Sequence, residues 1–271
     1  MTHRSRKTLQ TLMTLIGMTA LALAGPEHNS LPDGLQAHWT FDACTLEQGR
    51  VTLGQNRVLS LQTDKPNSCS SGKVGQAWVF SGVEASNHLN AQIATNSKQG
   101  WSINLWFQLS SDRSMDGDRQ TSEFGAQALF GKPDDRNGLN MRLERSKRDG
   151  RWFVYVSNGR CCDPKRNRVL GAESDRDGIR PGLWHMLSLN VNPKQNLIAL
   201  YQDGELRAQM PANEFDLNPK GDQEPLYLGI LGAAGWYPLH GLIDEVRIYS
   251  RPLLSGEVAR LYALEGAETK N

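Results

Sequence analysis

Between residues 35 and 249 the sequence alternates apolar and polar residues in one short run after another, and few folds accommodate that pattern. In Leu35-Gln36-Ala37-His38-Trp39-Thr40-Phe41 the apolar residues take every second position, so Leu35, Ala37, Trp39 and Phe41 share one side of a half-buried strand. The period of two returns in 101–105, 152–156, 184–191, 196–201 and 242–249. Asp149-Gly150, Asn158-Gly159, Pro181-Gly182, Asn192-Pro193 and Asp203-Gly204 punctuate these runs with turn signals. Short strands at near-regular spacing predict an all-β chain folded as a two-sheet antiparallel sandwich. One helix is expected after Pro252, with Ser255 as its N-cap and Val258, Leu261, Tyr262 and Leu264 as its apolar stripe, packed as a terminal lid.

Upstream of the strands, Arg4, Arg6 and Lys7 precede a mostly apolar stretch from Leu9 to Leu23 that ends in Ala22-Leu23-Ala24. This three-part pattern reads as a cleaved export signal over residues 1–24, and its threonines and short apolar run argue against a membrane anchor. Residues 25–34 form a leader, 35–265 the sandwich domain and 266–271 a polar tail, with no transmembrane segment in the mature chain. Periplasmic or extracellular placement makes disulfides the expected state of Cys44, Cys69, Cys161 and Cys162. Three readings stay open: Cys44 with Cys69, which leaves Cys161 and Cys162 to form a strained vicinal bond; each of the adjacent pair joined to one of the first two; or free thiols. With 30 Lys+Arg against 29 Asp+Glu the formal charge is only +1, so no basic surplus points to nucleic acid.

Several segments, in order, resemble one family. These are 38–42 (His38-Trp39-Thr40-Phe41-Asp42), Gly72-Lys73-Val74-Gly75-Gln76-Ala77 with Trp78-Val79-Phe80-Ser81-Gly82, and Trp101-Ser102-Ile103-Asn104-Leu105-Trp106-Phe107. Trp184-His185-Met186-Leu187-Ser188-Leu189, 200–206 around Asp203-Gly204, and 241–253 through Ile243-Asp244-Glu245-Val246 complete the set. Together they are similar to laminin-G-like domains of the concanavalin A-like lectin and glucanase superfamily. The resemblance implies a jelly-roll sandwich of two curved antiparallel sheets, whose concave face or rim loops bind sugars or proteins, often near a structural calcium ion. The polar stretch 110–125 and the Cys161-Cys162 segment depart from the common pattern; the former reads as a solvated insertion or a contact loop.

Candidate site residues follow. Strict alternation puts Asp244 on the side of Leu242, Val246 and Ile248, toward the interior, where a carboxylate needs a cation, several N–H donors or a proton. Calcium fits such a group, and in the family an acidic residue on this closing strand often binds calcium with groups near the first strand, where Asp42 is the matching position. The alternatives are backbone hydrogen bonds to Asp244 or a bulge that turns it outward. Trp106 lies opposite the Trp101, Ile103, Leu105 and Phe107 face and is either a stacking platform for a sugar, with Asn104 and Gln108 beside it, or a packing residue. Trp236 and Tyr237, in Gly235-Trp236-Tyr237-Pro238, are rim aromatics suited to contact or to anchoring the loop. Catalytic signals are thin: no strand carries a Glu-x-Asp-x-x-Glu run, no GxSxG occurs, and His185 has no nucleophile beside it. The expectation is an exported non-catalytic binding module for carbohydrate. A protein-interaction or envelope-structural module, and a glycan hydrolase of the same fold, are the alternatives.

Overall fold

The alternating runs pair into antiparallel sheets in a computed structural model that describes residues 30–44, 49–50, 58–59, 61–62, 68–82, 89–91, 96–110, 126–131, 139–146, 149–157, 169–171, 178–215, 217, 225–231 and 237–266. In chain order the first strands are β1 (Leu35–Trp39), β2 (Gly49–Arg50), β3 (Val58–Leu59), β4 (Leu61–Gln62), β5 (Cys69–Ser71), β6 (Gln76–Ser81), β7 (Leu89–Ala91), β8 (Trp101–Leu109) and β9 (Gln127–Gly131). They are followed by β10 (Asn140–Arg145), β11 (Trp152–Ser157), β12 (Val169–Gly171), β13 (Trp184–Asn192), β14 (Leu197–Gln202), β15 (Glu205–Met210), β16 (Leu226–Leu228), β17 (His240–Tyr249) and the helix α1 (Ser255–Gly266). Among the described residues one sheet has eight strands, β15-β14-β13-β8-β17-β6-β5 with β1 also on β17, and a second has seven, β12-β11-β10-β9-β16-β7-β4. Strands β2 and β3 form a separate ribbon. β6 pairs with residues 240–243 of β17 and β1 with residues 246–249, so two short strands share one edge of it.

The period of two does its predicted work in most strands. Trp101, Ile103, Leu105 and Phe107 of β8, with Leu187, Leu189 and Val191 of β13, face Met141 and Leu143 of β10, Val154 and Val156 of β11, and Leu226 and Leu228 of β16 in one buried cluster. Each such side chain contributes about 1.5–3 kcal/mol through its removal from water. Among the places where the register shifts, two turn side chains away from the side that strict alternation gives them. A register shift between Leu35 and Ala37 leaves Ala37, Trp39 and Phe41 in this core and turns Leu35 to a second cluster outside the eight-stranded sheet. On β17 the register against β8 slips between Asp244 and Arg247, with Glu245 at φ 50. That bulge moves Asp244 off the side of Val246 and Ile248 and onto the side of its cross-strand partner Trp106.

Helix α1 packs on the outer face of the eight-stranded sheet, where Val258 and Leu261 join Trp106, Met186, Ala199, Tyr201, Tyr249 and Leu253. Ser255 lies in the first turn rather than at the N-cap, and Glu257 reaches back to accept from the amide of Leu254 at 2.8 Å. Arg251 donates two bonds to the Glu257 carboxylate, at 2.8 and 2.6 Å, fixing the entry of the helix. At the β14–β15 turn Asp203 and Gly204 both have positive φ, as a two-residue hairpin requires, and a Cβ on Gly204 would sit 3.1 Å from that of Tyr262. Cys44 and Cys69 form a disulfide, which selects the first of the two pairings for these residues; Cys161 and Cys162 lie outside the described residues. No helix among the described residues is long and apolar enough to cross a membrane.

Candidate ligand-binding face

The outer face of the seven-stranded sheet is built by the same alternation that fills the core. While Met141 and Leu143 of β10 and Val154 and Val156 of β11 point inward, Arg142, Glu144, Phe153 and Tyr155 point outward and are only partly buried. Arg142 pairs across the strands with Tyr155, and its guanidinium carbon lies 4.2 Å from the Tyr155 ring centre. From the other side comes Tyr237, with φ 56, whose carbonyl accepts from the amide of Ala128 at 2.7 Å. Ala128 is the β9 neighbour of Arg142, and the Tyr237 ring centre lies 5.6 Å from the same guanidinium. Arg142 Nε donates to Glu144 Oε1 at 2.7 Å and Nη1 to Asn140 Oδ1 at 3.1 Å.

The result is a row of ring, guanidinium and ring running from Tyr155 of β11 over Arg142 of β10 to Tyr237, which precedes β17, with a carboxylate and an amide holding the guanidinium. Cation–π attraction and charge-assisted bonds both keep it in place. Such a row offers apolar ring faces for the C–H surface of a ligand and acceptors and donors for its hydroxyls. Glu144 is opposite Phe153 and bonded to Arg142.

Tyr237 is thus the expected rim aromatic that the structure brings to this face; Trp236 lies outside the described residues, as do 111–125 of the polar stretch. Trp106, Asn104 and Gln108 are on the other sheet and do not form an open platform. The Trp106 indole is 2% exposed, stacked at 20° and 5.5 Å on Tyr262 of α1, with Lys73 Nζ 4.6 Å from its centre, and its Nε1 donates to Glu265. Asn104 is fully buried and Gln108 donates to the Gly182 carbonyl at 3.0 Å. The helix, which arrives from far along the chain, covers the Trp106 ring, so of its two readings the structure shows the packing one.

Asp244 and Asp42 converge on the same turn but do not suit calcium. Lys73 and Val74 amides donate to Asp244 Oδ2 at 2.9 and 3.1 Å, and the Glu245 amide donates to Oδ1 at 2.8 Å. Asp42 Oδ1 accepts from the Gln76 amide at 3.2 Å. A calcium ion asks for six to eight oxygens around it, whereas the groups aimed at these carboxylates are N–H donors. Nor, among the described residues, do three or more His, Cys, Asp or Glu side chains gather as a metal site. Backbone hydrogen bonding and the bulge, the two alternatives given for Asp244, are both present. Burial pushes the Asp244 carboxyl up to about 8, the adjacent Glu245 charge adds to this, and the Val74, Glu245 and Lys73 amides pull against it. His185 is structural: its Nε2 accepts from the Arg180 amide at 3.2 Å, which leaves the Nδ1 proton for Asp203 at 2.8 Å.

Residues 80–259 match the family described as the Concanavalin A-like lectin/glucanases superfamily. The chain belongs to that superfamily. Similar solved structures share the superfamily sandwich. Domain 4 of AbnA, a GH43 extracellular arabinanase from Geobacillus stearothermophilus in complex with arabinotriose, aligns with TM-score 0.57 and 20% identity over 84% of this chain and 98% of that one. The binding domain of Paraclostridial Mosquitocidal Protein 1 aligns with TM-score 0.61 and 16% identity over 85% and 52%. The binding domain of botulinum neurotoxin serotype G aligns with TM-score 0.58 and 12% identity over 86% and 51%. The chain spans about half the length of these two toxin domains. No curated protein matches the sequence.

Sequence reasoning overlooked Arg142, Glu144 and Tyr155. Their signal was present, since Phe153 and Tyr155 are two aromatics on the outward side of one strand, where polar residues are the rule.

Proposed function

We propose that this superfamily member is an exported, non-catalytic module that binds carbohydrate on the outer face of its seven-stranded sheet. The observation that carries the reading is the Tyr155–Arg142–Tyr237 row, held by Glu144 and Asn140. Aromatic faces beside fixed hydrogen-bonding groups suit a sugar, which is apolar on its ring faces and polar around its rim. The arabinotriose-bound arabinanase domain, aligned over nearly its whole length, makes a short saccharide the first ligand to try. Export is supported by the basic head and apolar stretch of residues 1–24 and by the Cys44–Cys69 disulfide.

A glycan array on the protein tests this. Saturable binding to at least one glycan, weakened about tenfold or more by Tyr155→Ala, the equivalent of 1.4 kcal/mol, supports the reading. Silence across the array contradicts it, and turnover of any bound glycan contradicts the non-catalytic part.

A further inference from the structure

The outer face of the eight-stranded sheet is more polar than a face under a helix should be. Arg247, Asn104 and Ser188 lie side by side across β17, β8 and β13, with Tyr249 one step along β17. These four residues are 0–3% exposed, and five of their side-chain atoms have no hydrogen-bond partner among the described residues: both polar atoms of Asn104, Ser188 Oγ, Arg247 Nε and Tyr249 Oη. A buried donor or acceptor left alone keeps the full cost of its lost hydration, so a face shaped for permanent burial would be apolar or matched. Helix α1 leaves those five atoms unmatched. It covers the apolar part of the face with Val258 and Leu261, and over the polar part it lays Tyr262 on the Trp106 ring and brings Glu265, which accepts from Trp106 Nε1 and pairs with Arg247.

A ring stacked on an indole with oxygen atoms beside it is also how a sugar would sit. We propose that this face is a second saccharide site, on the opposite side of the sandwich from the first, held closed by α1, whose Tyr262 and Glu265 stand where a sugar ring and its hydroxyls would bind. Amide, hydroxyl and guanidinium groups at adjacent strand positions match vicinal hydroxyls, which donate and accept at neighbouring atoms. A neutral saccharide is the ligand class, because Glu245, on the same strand as Arg247, stays paired with it when α1 and Glu265 withdraw and leaves that guanidinium no surplus charge for an anion. An approach exists: a cavity of about 750 Å³ opens beside the first turn of α1 and reaches Asn190 and Tyr201, neighbours of the polar row on β13 and β14. Ligand and helix then compete, and removing the helix clamp raises apparent affinity by the reciprocal of the open fraction.

The test uses the full chain with arabinotriose, cellotetraose and mannotriose as probes in calorimetric titrations. Tyr262→Ala is expected to bind at least one probe about tenfold more tightly than the unaltered protein, for a face that is open about a tenth of the time. The gain should vanish when Asn104→Leu is added and persist when Tyr155→Ala is added. No gain with any probe, a gain that survives Asn104→Leu, or a gain abolished by Tyr155→Ala overturns the proposal; the last outcome assigns all binding to the first face. Hydrogen exchange of the unaltered protein gives an independent reading that needs no variant. Faster exchange of the α1 amides in excess probe is expected, and unchanged or slower exchange overturns the proposal.

Discussion

Replacing Asp244 with Asn should change how stability depends on pH more than it changes stability itself. The carboxyl is fully buried and pushed up to about 8, from 3.8 in an unfolded chain. A group whose folded pKa lies above its unfolded one stabilises fully below the lower value, and that contribution is lost as pH rises through the upper one. From pH 5 to pH 8 the unfolded chain carries the charge and the folded chain resists it, so stability falls by up to about 1.4 kcal/mol per pH unit, or about 4 kcal/mol in all. In Asp244→Asn this dependence is gone. The amide oxygen still accepts from Lys73 and Val74, but its NH2 meets the Glu245 N–H, a cost of about 1–3 kcal/mol at every pH. Urea unfolding of both proteins from pH 4 to pH 8, under conditions in which Cys44–Cys69 stays intact, should therefore show curves that cross, the variant weaker at pH 4 and stronger at pH 8. Shifts at Glu265 and Glu245 occur in both proteins and largely cancel in the difference. A gap that stays constant would mean that the three amides hold Asp244 ionised, and would refute the reasoning.

The same geometry predicts that excess chelator leaves the melting temperature unchanged, measured by calorimetry; a clear fall would restore calcium at Asp42 and Asp244. Gly75→Ala should destabilise by about 2 kcal/mol or more in denaturant, because φ is +52 there and a Cβ would lie 1.9 Å from Asp42 Oδ1; an unaltered midpoint would show that the turn can shift freely. Cys44→Ser with Cys69→Ser opens a link between residues 25 apart and should cost about 3 kcal/mol in the same assay. A cost near zero would mean that the unfolded chain gains nothing from release of that link.

Much of the sandwich was legible because a period of two records which side of a strand is wet. The β8 and β13 patterns placed Trp101, Ile103, Leu105, Leu187 and Leu189 correctly in the core. What was hidden depends on distant chain or on backbone. Trp106 was correctly placed opposite the core residues, but α1 lies some 150 residues further on, and nothing local shows that it covers this indole. The bulge at Glu245 uses a non-glycine residue at positive φ, so no glycine marked where alternation breaks. Asp244 was singled out for its buried charge, yet its partners are main-chain amides of a turn in the first third of the chain, which side-chain identity cannot reveal. Tyr237 was visible as a loop aromatic, whereas its meeting with Arg142 and Tyr155 required knowing that its carbonyl bonds to Ala128 of β9.

Backbone amide shifts in a nuclear magnetic resonance titration with arabinotriose test the central claim most directly. Shifts centred on Arg142, Tyr155 and Tyr237 that saturate together and are lost in Tyr155→Ala are expected. Saturating shifts that leave β10, β11 and Tyr237 untouched would contradict it.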